Sequence, residues 1–247
     1  MRQHIPNFFT LSNLFCGCCA VVFLLHREPV PAAWLTLGSF LCDYADGMVA
    51  RALGVSSPMG RELDSLADVV SFGVVPGAML YQMLYLSHCG ADETRAICMP
   101  ALPAFVLTAF SAYRLAKFNL DTRQKHYFVG LSTPGCTLFV LGVNLSVHDN
   151  QLGMGDLLLA QPLWLYTIVG VFSYLLVSEI PMYGLKIRSL QWRGNELAFL
   201  FIGLSLAALI VLKGLGLSLV ILFYIALSVF SKNKILSQGA AEAPAPL

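Results

Sequence analysis

Asp43, Asp46, Asp64 and Asp68 are the residues of this chain whose type and spacing point most directly to chemistry. The first two stand three apart within Leu41-Cys42-Asp43-Tyr44-Ala45-Asp46-Gly47-Met48-Val49-Ala50-Arg51. The last two stand four apart within Asp64-Ser65-Leu66-Ala67-Asp68. Side chains at either spacing share a helix face, so each pair presents both carboxylates in one direction. Both segments lie in apolar surroundings, where ionisable residues are rare and mark function. Carboxylates gathered in such a place repel one another and resist burial. The basic residues nearest to them are Arg51, on the same segment as the first pair, and Arg61, on the turn that follows. Hard divalent cations such as Mg2+ or Mn2+ prefer oxygen ligands and resolve the conflict most simply. Two such ions balance the charge of four Asp side chains, and an ion pair suits phosphoryl chemistry because it can hold both the attacking and the leaving oxygen. A plainer alternative makes these residues helix caps or loop charges. Asp64 is placed to cap a third helix, whereas Asp43 and Asp46 lie too far inside an apolar run.

Membrane helices must carry these segments. The 247 residues are 57% hydrophobic and 12% charged, with a mean hydropathy of +0.72, against about 25% charged in an ordinary soluble domain. A soluble chain this apolar could not cover its surface with polar groups. A spanning helix needs about 20 mostly apolar residues. Eight candidates lie near 9–25, 31–53, 65–87, 96–118, 130–147, 157–182, 196–212 and 215–231. The expected fold is an all-α polytopic membrane protein of about eight transmembrane helices. Residues 1–236 form one catalytic domain, and the Ala/Pro-rich tail 237–247 is expected to be disordered. The last two spans meet at Lys213 and Gly214 and form a hairpin. The short turn from Leu53 to Arg61 makes the second and third helices run antiparallel side by side, so their carboxylates converge near one membrane surface. The first run follows only Arg2 and ends at Leu25-His26-Arg27 without a small-residue cleavage site, so it reads as a retained helix and not a signal peptide.

Lys and Arg placement predicts the orientation. With the N-terminus in the cytoplasm, the inner side collects Arg2, Arg51, Arg61, Arg114, Lys117, Arg123, Lys125, Lys186, Arg188, Arg193, Lys232 and Lys234, and the outer side keeps Arg27, Arg95 and Lys213. Both termini and the carboxylates then face the cytoplasm. The net charge of +1 says nothing about partners, but the basic tail and aromatic–basic interleaving that nucleic-acid binders show are absent from the sequence. Of the seven cysteines, Cys16, Cys18, Cys19 and Cys42 fall in apolar runs and read as small membrane-helix residues. Cys16, Cys18 and Cys19 lack the second ligand pair of a zinc site, and the sequence assigns no disulfide. Ala45, Gly47, Ala50 and Gly60 are small enough for close approach of helices or ligand, and Gly73-Val74-Val75-Pro76-Gly77 reads as a packing and kink feature.

Asp43-x-x-Asp46-Gly47-x-x-Ala50-Arg51, eight further residues, then Gly60-x-x-x-Asp64-x-x-x-Asp68 resembles the complete signature of the CDP-alcohol phosphatidyltransferase family. The resemblance covers 26 residues directly, and the helical layout extends it over most of the chain. It implies a dimeric bundle with a six-helix core around a polar cavity open to the cytoplasm, and transfer of a phosphatidyl group from a CDP-linked lipid to an alcohol with release of CMP. By the same resemblance Asp43, Asp46, Asp64 and Asp68 would hold two divalent cations, Mg2+ or Mn2+, and Asp68 would also be the general base. Gly47, Arg51, Ser57 and Gly60 would contact the CDP moiety of CDP-diacylglycerol, with Asn7 and Thr10 of Pro6-Asn7-x-x-Thr10 near its diphosphate. General chemistry agrees: an Arg at position 51 offers a bidentate donor for phosphate, and a carboxylate beside the acceptor hydroxyl can take its proton as transfer proceeds.

Three segments are similar to the members of the family that use L-serine: Ile5 to Gly17, Asp64 to Pro76, and Ala112 to Asn119 followed by Tyr127 to Pro134. Serine is a zwitterion and its carboxylate needs a cation. Arg114 and Lys117 stand three apart on one helix face and either can supply it; the alternative is that both are positive-inside anchors. Two rivals follow. An acceptor such as glycerol 3-phosphate or inositol phosphate would need a denser basic cluster, which Arg114, Lys117, Arg123 and Lys125 could be read to form. A cation channel or transporter would also place Asp residues in the membrane, but such proteins show repeated halves, and the Asp segment has no repeat in the second half of the chain, where Glu179 stands nearly alone.

Overall fold

Backbone N–H and C=O groups in lipid have no water to bond, so an apolar chain satisfies them within helices. The computed structural model describes residues 4–55, 57–90, 97–120, 128–182 and 196–230, and they are helical almost throughout. The elements are α1 (His4–Leu25), α2 (Pro29–Leu53), α3 (Pro58–Cys89), α4 (Met99–Leu120), β1 (Phe128–Val129), α5 (Thr133–His148), α6 (Met154–Ala160), α7 (Leu163–Val177), β2 (Pro181–Met182) and α8 (Glu196–Phe230). Among the described residues, α1, α3, α4 and Phe201–Phe230 of α8 are long and apolar enough to cross a membrane. The chain is an all-α integral membrane protein; the count of eight spans remains an expectation.

Several expected spans differ in form. The single helix expected near 157–182 is broken: α6 and α7 meet at 97°, where Pro162 interrupts the helix. Beyond Val177 the chain is extended, and β2 pairs antiparallel with β1. Gly130, at φ 74, makes that pairing possible. Its N–H donates to Ile180 O at 2.9 Å, and a Cβ there would collide with the carbonyls of Leu176 and Ser178. Along α8 the backbone leaves helical geometry at Lys213. The rings of Phe201 and Tyr224 nonetheless lie 6.4 Å apart, where a straight helix would separate them by about 35 Å. The chain folds back at Lys213, in keeping with the expected hairpin.

The carboxylate-bearing helices are positioned by α1. Its buried stripe is Pro6, Thr10, Asn13, Gly17, Ala20 and Leu24, small or polar residues at helical spacing. Backbone neighbours of α1 include both α2 and α3. The expected side-by-side pairing of α2 with α3 is therefore mediated by α1; α2 and α3 themselves meet through side chains such as Phe40 and Phe72, whose ring centroids are 4.5 Å apart. At Gly17 the approach is so close that a Cβ would clash with Ser71.

Ser57 caps α3, accepting from Gly60 N–H at 2.9 Å, with Pro58 following it. Asp64 thus lies well inside α3 and is not its cap. Within α3 a π-turn spans Val70–Val74, just before Pro76. A proline leaves the carbonyl four residues earlier without its donor, and here Phe72 O accepts instead from Thr137 Oγ1 of α5 at 3.1 Å. Gly73 O accepts from Thr108 Oγ1 of α4 at 2.8 Å. The Gly73–Gly77 segment packs directly on Ser111 and Thr108, which bears out its reading as a packing feature.

At the far end of α3 a disulfide joins Cys89 to Cys98, which the sequence had not assigned. Cys16, Cys18, Cys19, Cys42 and Cys136 are free thiols. Arg2, Arg95, Arg123, Lys125, Lys186, Arg188, Arg193, Lys232, Lys234 and the tail 237–247 lie outside the described residues.

Candidate active site

The fold brings Asp43 of α2 and Asp64 and Asp68 of α3 together, with one carboxylate oxygen from each lying within 4.8 Å of the others. Asp46, three residues after Asp43, turns instead toward α1, where Thr10 Oγ1 donates to its Oδ2 at 2.6 Å. It is 8% exposed and remains within electrostatic range of the other three. Asn13 Nδ2, one turn beyond Thr10, donates to Asp68 Oδ1 at 3.2 Å. Among the described residues none of the three clustered carboxylates has a salt bridge, and Asp64 Oδ1 is buried without a hydrogen-bond partner. An oxygen-only cluster with an orphaned acceptor and, among the described residues, no salt bridge fits a hard divalent cation. Asp43, Asp64 and Asp68 are the residues placed to hold one, with Asp46 beside them.

A cavity of about 200 Å³ adjoins the cluster, and Asp46 and Asp64 form part of its wall. Asn7, Thr10, Gly47, Ser57 and Gly60 line it too, all of them residues that the sequence assigned to the nucleotide, and so does Arg61. Arg51 is exposed and lies at the rim: its Nη1 would be 3.3 Å from a Cβ at Gly47. Gly60 is fitted between Ser57 Oγ and Asn7 Oδ1. Any side chain at position 47 or 60 would take up room in this cavity. The Ser57 hydroxyl has a structural duty as well, since it caps α3.

Arg114 and Lys117, equivalent in the sequence, are separated by the structure. Arg114 is 8% exposed, its guanidinium lies 5.0 Å from the centre of the Phe118 ring, and its Nε is buried without a hydrogen-bond partner. It stands within electrostatic range of Asp68. Lys117 is 33% exposed and pairs with Glu179 at 3.6 Å. Both border a narrow crevice closed by Val129, Leu176 and Ser178. Val129 of β1 and the end of α7 with Ser178 therefore form the wall opposite α4. Asn119 Nδ2 donates to Ser65 Oγ at 2.8 Å and ties this end of α4 to α3 beside Asp64.

Sequence reasoning missed Asn13 and Glu179. Asn13 had a signal: with Thr10 and Gly17 it continues a polar, small stripe along one face of α1. Glu179 had none, because it lies beyond the end of α7 and its partner Lys117 is on α4.

Acidic oxygens gathered for divalent metal beside a polar cavity in a membrane bundle suit one class of chemistry, transfer of a phosphate-linked group at the membrane surface. The chain belongs to the CDP-alcohol phosphatidyltransferase family, whose model matches residues 3–165. Individual relatives are similar over 59% to 93% of the chain. A CDP-diacylglycerol–serine O-phosphatidyltransferase of Helicobacter pylori strain J99 is 34% identical over 240 residues, 93% of this chain and 95% of its own. Proteins of the same name are 31% identical in Bacillus subtilis, over 72% of this chain and 89% of that one, and 36% identical in Saccharomyces cerevisiae, over 59% of this chain and 55% of that one.

Proposed function

We propose that this membrane transferase moves the phosphatidyl group of CDP-diacylglycerol to the hydroxyl of L-serine, forming phosphatidylserine and CMP. The relatives named above act on serine by name. The observation that carries the reading to this chain is Arg114, a buried guanidinium with an unsatisfied Nε within electrostatic range of Asp68. It suits an acceptor that carries both a hydroxyl and a carboxylate.

The residues divide the work. The nucleotide and diphosphate occupy the cavity lined by Asn7, Thr10, Gly47, Ser57 and Gly60, with Arg51 at its rim. Asp43, Asp64 and Asp68, with Asp46 beside them, would hold two divalent ions, Mg2+ or Mn2+, which would supply positive charge against that on the diphosphate. Asp68 accepts the proton of the serine hydroxyl. The serine oxygen attacks the phosphorus that bears diacylglycerol, the bond from that phosphorus to the bridging oxygen breaks, and CMP departs with the bridging oxygen. Arg114 orients serine by its carboxylate, and Lys117 contributes less because Glu179 already engages it.

The site faces the cytoplasm in this reading, and one catalytic domain, 1–236, assembles as a homodimer as its family resemblance implies. The disulfide supports that orientation independently. Cys89 lies 21 residues beyond Asp68 on α3, about 30 Å along a helix, and disulfides persist on the oxidising side of a membrane.

The test supplies purified protein with CDP-diacylglycerol, Mn2+ and one alcohol at a time, and follows CMP. Release with serine, lost in Asp68→Asn, is the expected result. Release only with glycerol 3-phosphate or inositol phosphate would leave the transferase standing and sink serine as the acceptor.

A further inference from the structure

We infer that Asn13 is a positioning residue for Asp68 and for the metal cluster, an inference that rests on the reading of Asp68 as base and metal ligand. Asn13 is wholly buried on α1. Its Nδ2 donates to Asp68 Oδ1 at 3.2 Å. Being bonded there, Oδ1 is held in place, and Oδ2 is fixed in the orientation that remains.

The backbone of Asn13 is tied to both carboxylate-bearing helices. Its carbonyl accepts from Ser39 Oγ of α2 at 3.1 Å and from Ser71 Oγ of α3 at 3.0 Å. Ser39 stands one helical turn before Asp43, and Ser71 stands one turn after Asp68. A single residue of α1 is thus bonded to α2 beside Asp43, to α3 beside Asp68, and to Asp68 itself. Groups that bond to metal ligands fix their orientation, and losing one typically costs about 10–100-fold in metal affinity or activity.

Asn13 Oδ1 is buried and has no hydrogen-bond partner. The amide orientation is set by Asp68, which can only accept from the N–H2 end when ionised. A buried amide serving the fold alone is normally satisfied at both ends. Thr10 holds Asp46 from the same face of α1, so the stripe that packs the helices also aims their carboxylates.

The experiment compares full-length wild type with Asn13→Ala, Asn13→Asp and Asp68→Asn. Asn13→Asp keeps the shape and replaces the donor with an acceptor. Mn2+ binding is measured without substrate, from the EPR signal of free Mn2+, and CMP release is measured per folded protein. The expected result for both Asn13 variants is Mn2+ binding weakened about tenfold or more, or kcat lowered by about 10–100-fold, with KM for CDP-diacylglycerol within about threefold of wild type. Mn2+ affinity and kcat both within about twofold of wild type in Asn13→Asp would overturn the inference, as would a loss that only follows the folded fraction. Full activity in Asp68→Asn would remove the reading on which it rests; an inactive Asp68→Asn beside normal Asn13 variants would remove the inference alone.

Discussion

Replacing Arg114 by Met removes the guanidinium and keeps much of the volume. Arg114 is 8% exposed, and its Nε has no protein partner to lose. The effect should therefore fall on the ligand. A hydrogen bond to a charged group contributes about 1.5–3 kcal/mol, and 1.4 kcal/mol is a factor of ten. KM for serine should rise about 10- to 150-fold, while KM for CDP-diacylglycerol stays within about threefold of wild type. The assay is CMP release at saturating CDP-diacylglycerol, run with serine and with ethanolamine, which keeps the hydroxyl and amine and lacks the carboxylate. Wild type should strongly prefer serine, and Arg114→Met should lose most of that preference. Lys117→Met should raise the serine KM by no more than about fivefold, since an exposed pair such as Lys117–Glu179 is worth about 0–1 kcal/mol. A folded Arg114→Met protein with an unchanged serine KM and an unchanged preference over ethanolamine would refute the assignment and leave Arg114 as a membrane-border cation.

Chelation should abolish CMP release, with Mn2+ or Mg2+ restoring it, and Asp43→Asn and Asp64→Asn should each raise the metal concentration needed; activity that survives thorough chelation would contradict the reading of the cluster. Gly17→Val should cost about 1–3 kcal/mol by overpacking where α1 meets Ser71, seen as a lower thermal unfolding midpoint, whereas an unchanged midpoint would mean the helices separate freely there. In intact cells, a membrane-impermeant maleimide should label Cys89 and Cys98 only after reduction, and labelling confined to inverted vesicles would reverse the proposed orientation.

The carboxylates were legible because their chemistry is local: spacings of three and four put each pair on one face, and a short turn brings the pairs together. What spacing could not tell was that Asp46 departs from the cluster for Thr10, because that depends on the rotation of α1 against α2. The packing role of Gly73 and Gly77 was legible, but the rescue of the Phe72 carbonyl by Thr137 depends on a helix 65 residues away in sequence. The break between α6 and α7 had a signal in Gln161-Pro162, which a reading by hydropathy alone passes over because hydropathy records what can enter lipid and not its direction.

The acceptor end was the least legible, for a physical reason. Asp43, Asp46, Asp64, Asp68 and the cavity residues all fall within the part matched by the family, 3–165. The crevice beside Arg114 is closed by Leu176 and Ser178, and Lys117 is engaged by Glu179, all beyond that part. Metal and diphosphate chemistry can be built from two helices with fixed spacing, because every member of the family must handle the same CDP group. In the proposed reading the acceptor is recognised by a wall assembled from α4, β1 and the end of α7, which meet where Gly130 lets the chain pass close beneath the carbonyls of Leu176 and Ser178. No periodicity along the sequence links Lys117 to Glu179 or Arg114 to Ser178, so the proposed acceptor wall rests on tertiary contacts between segments that carry no common pattern.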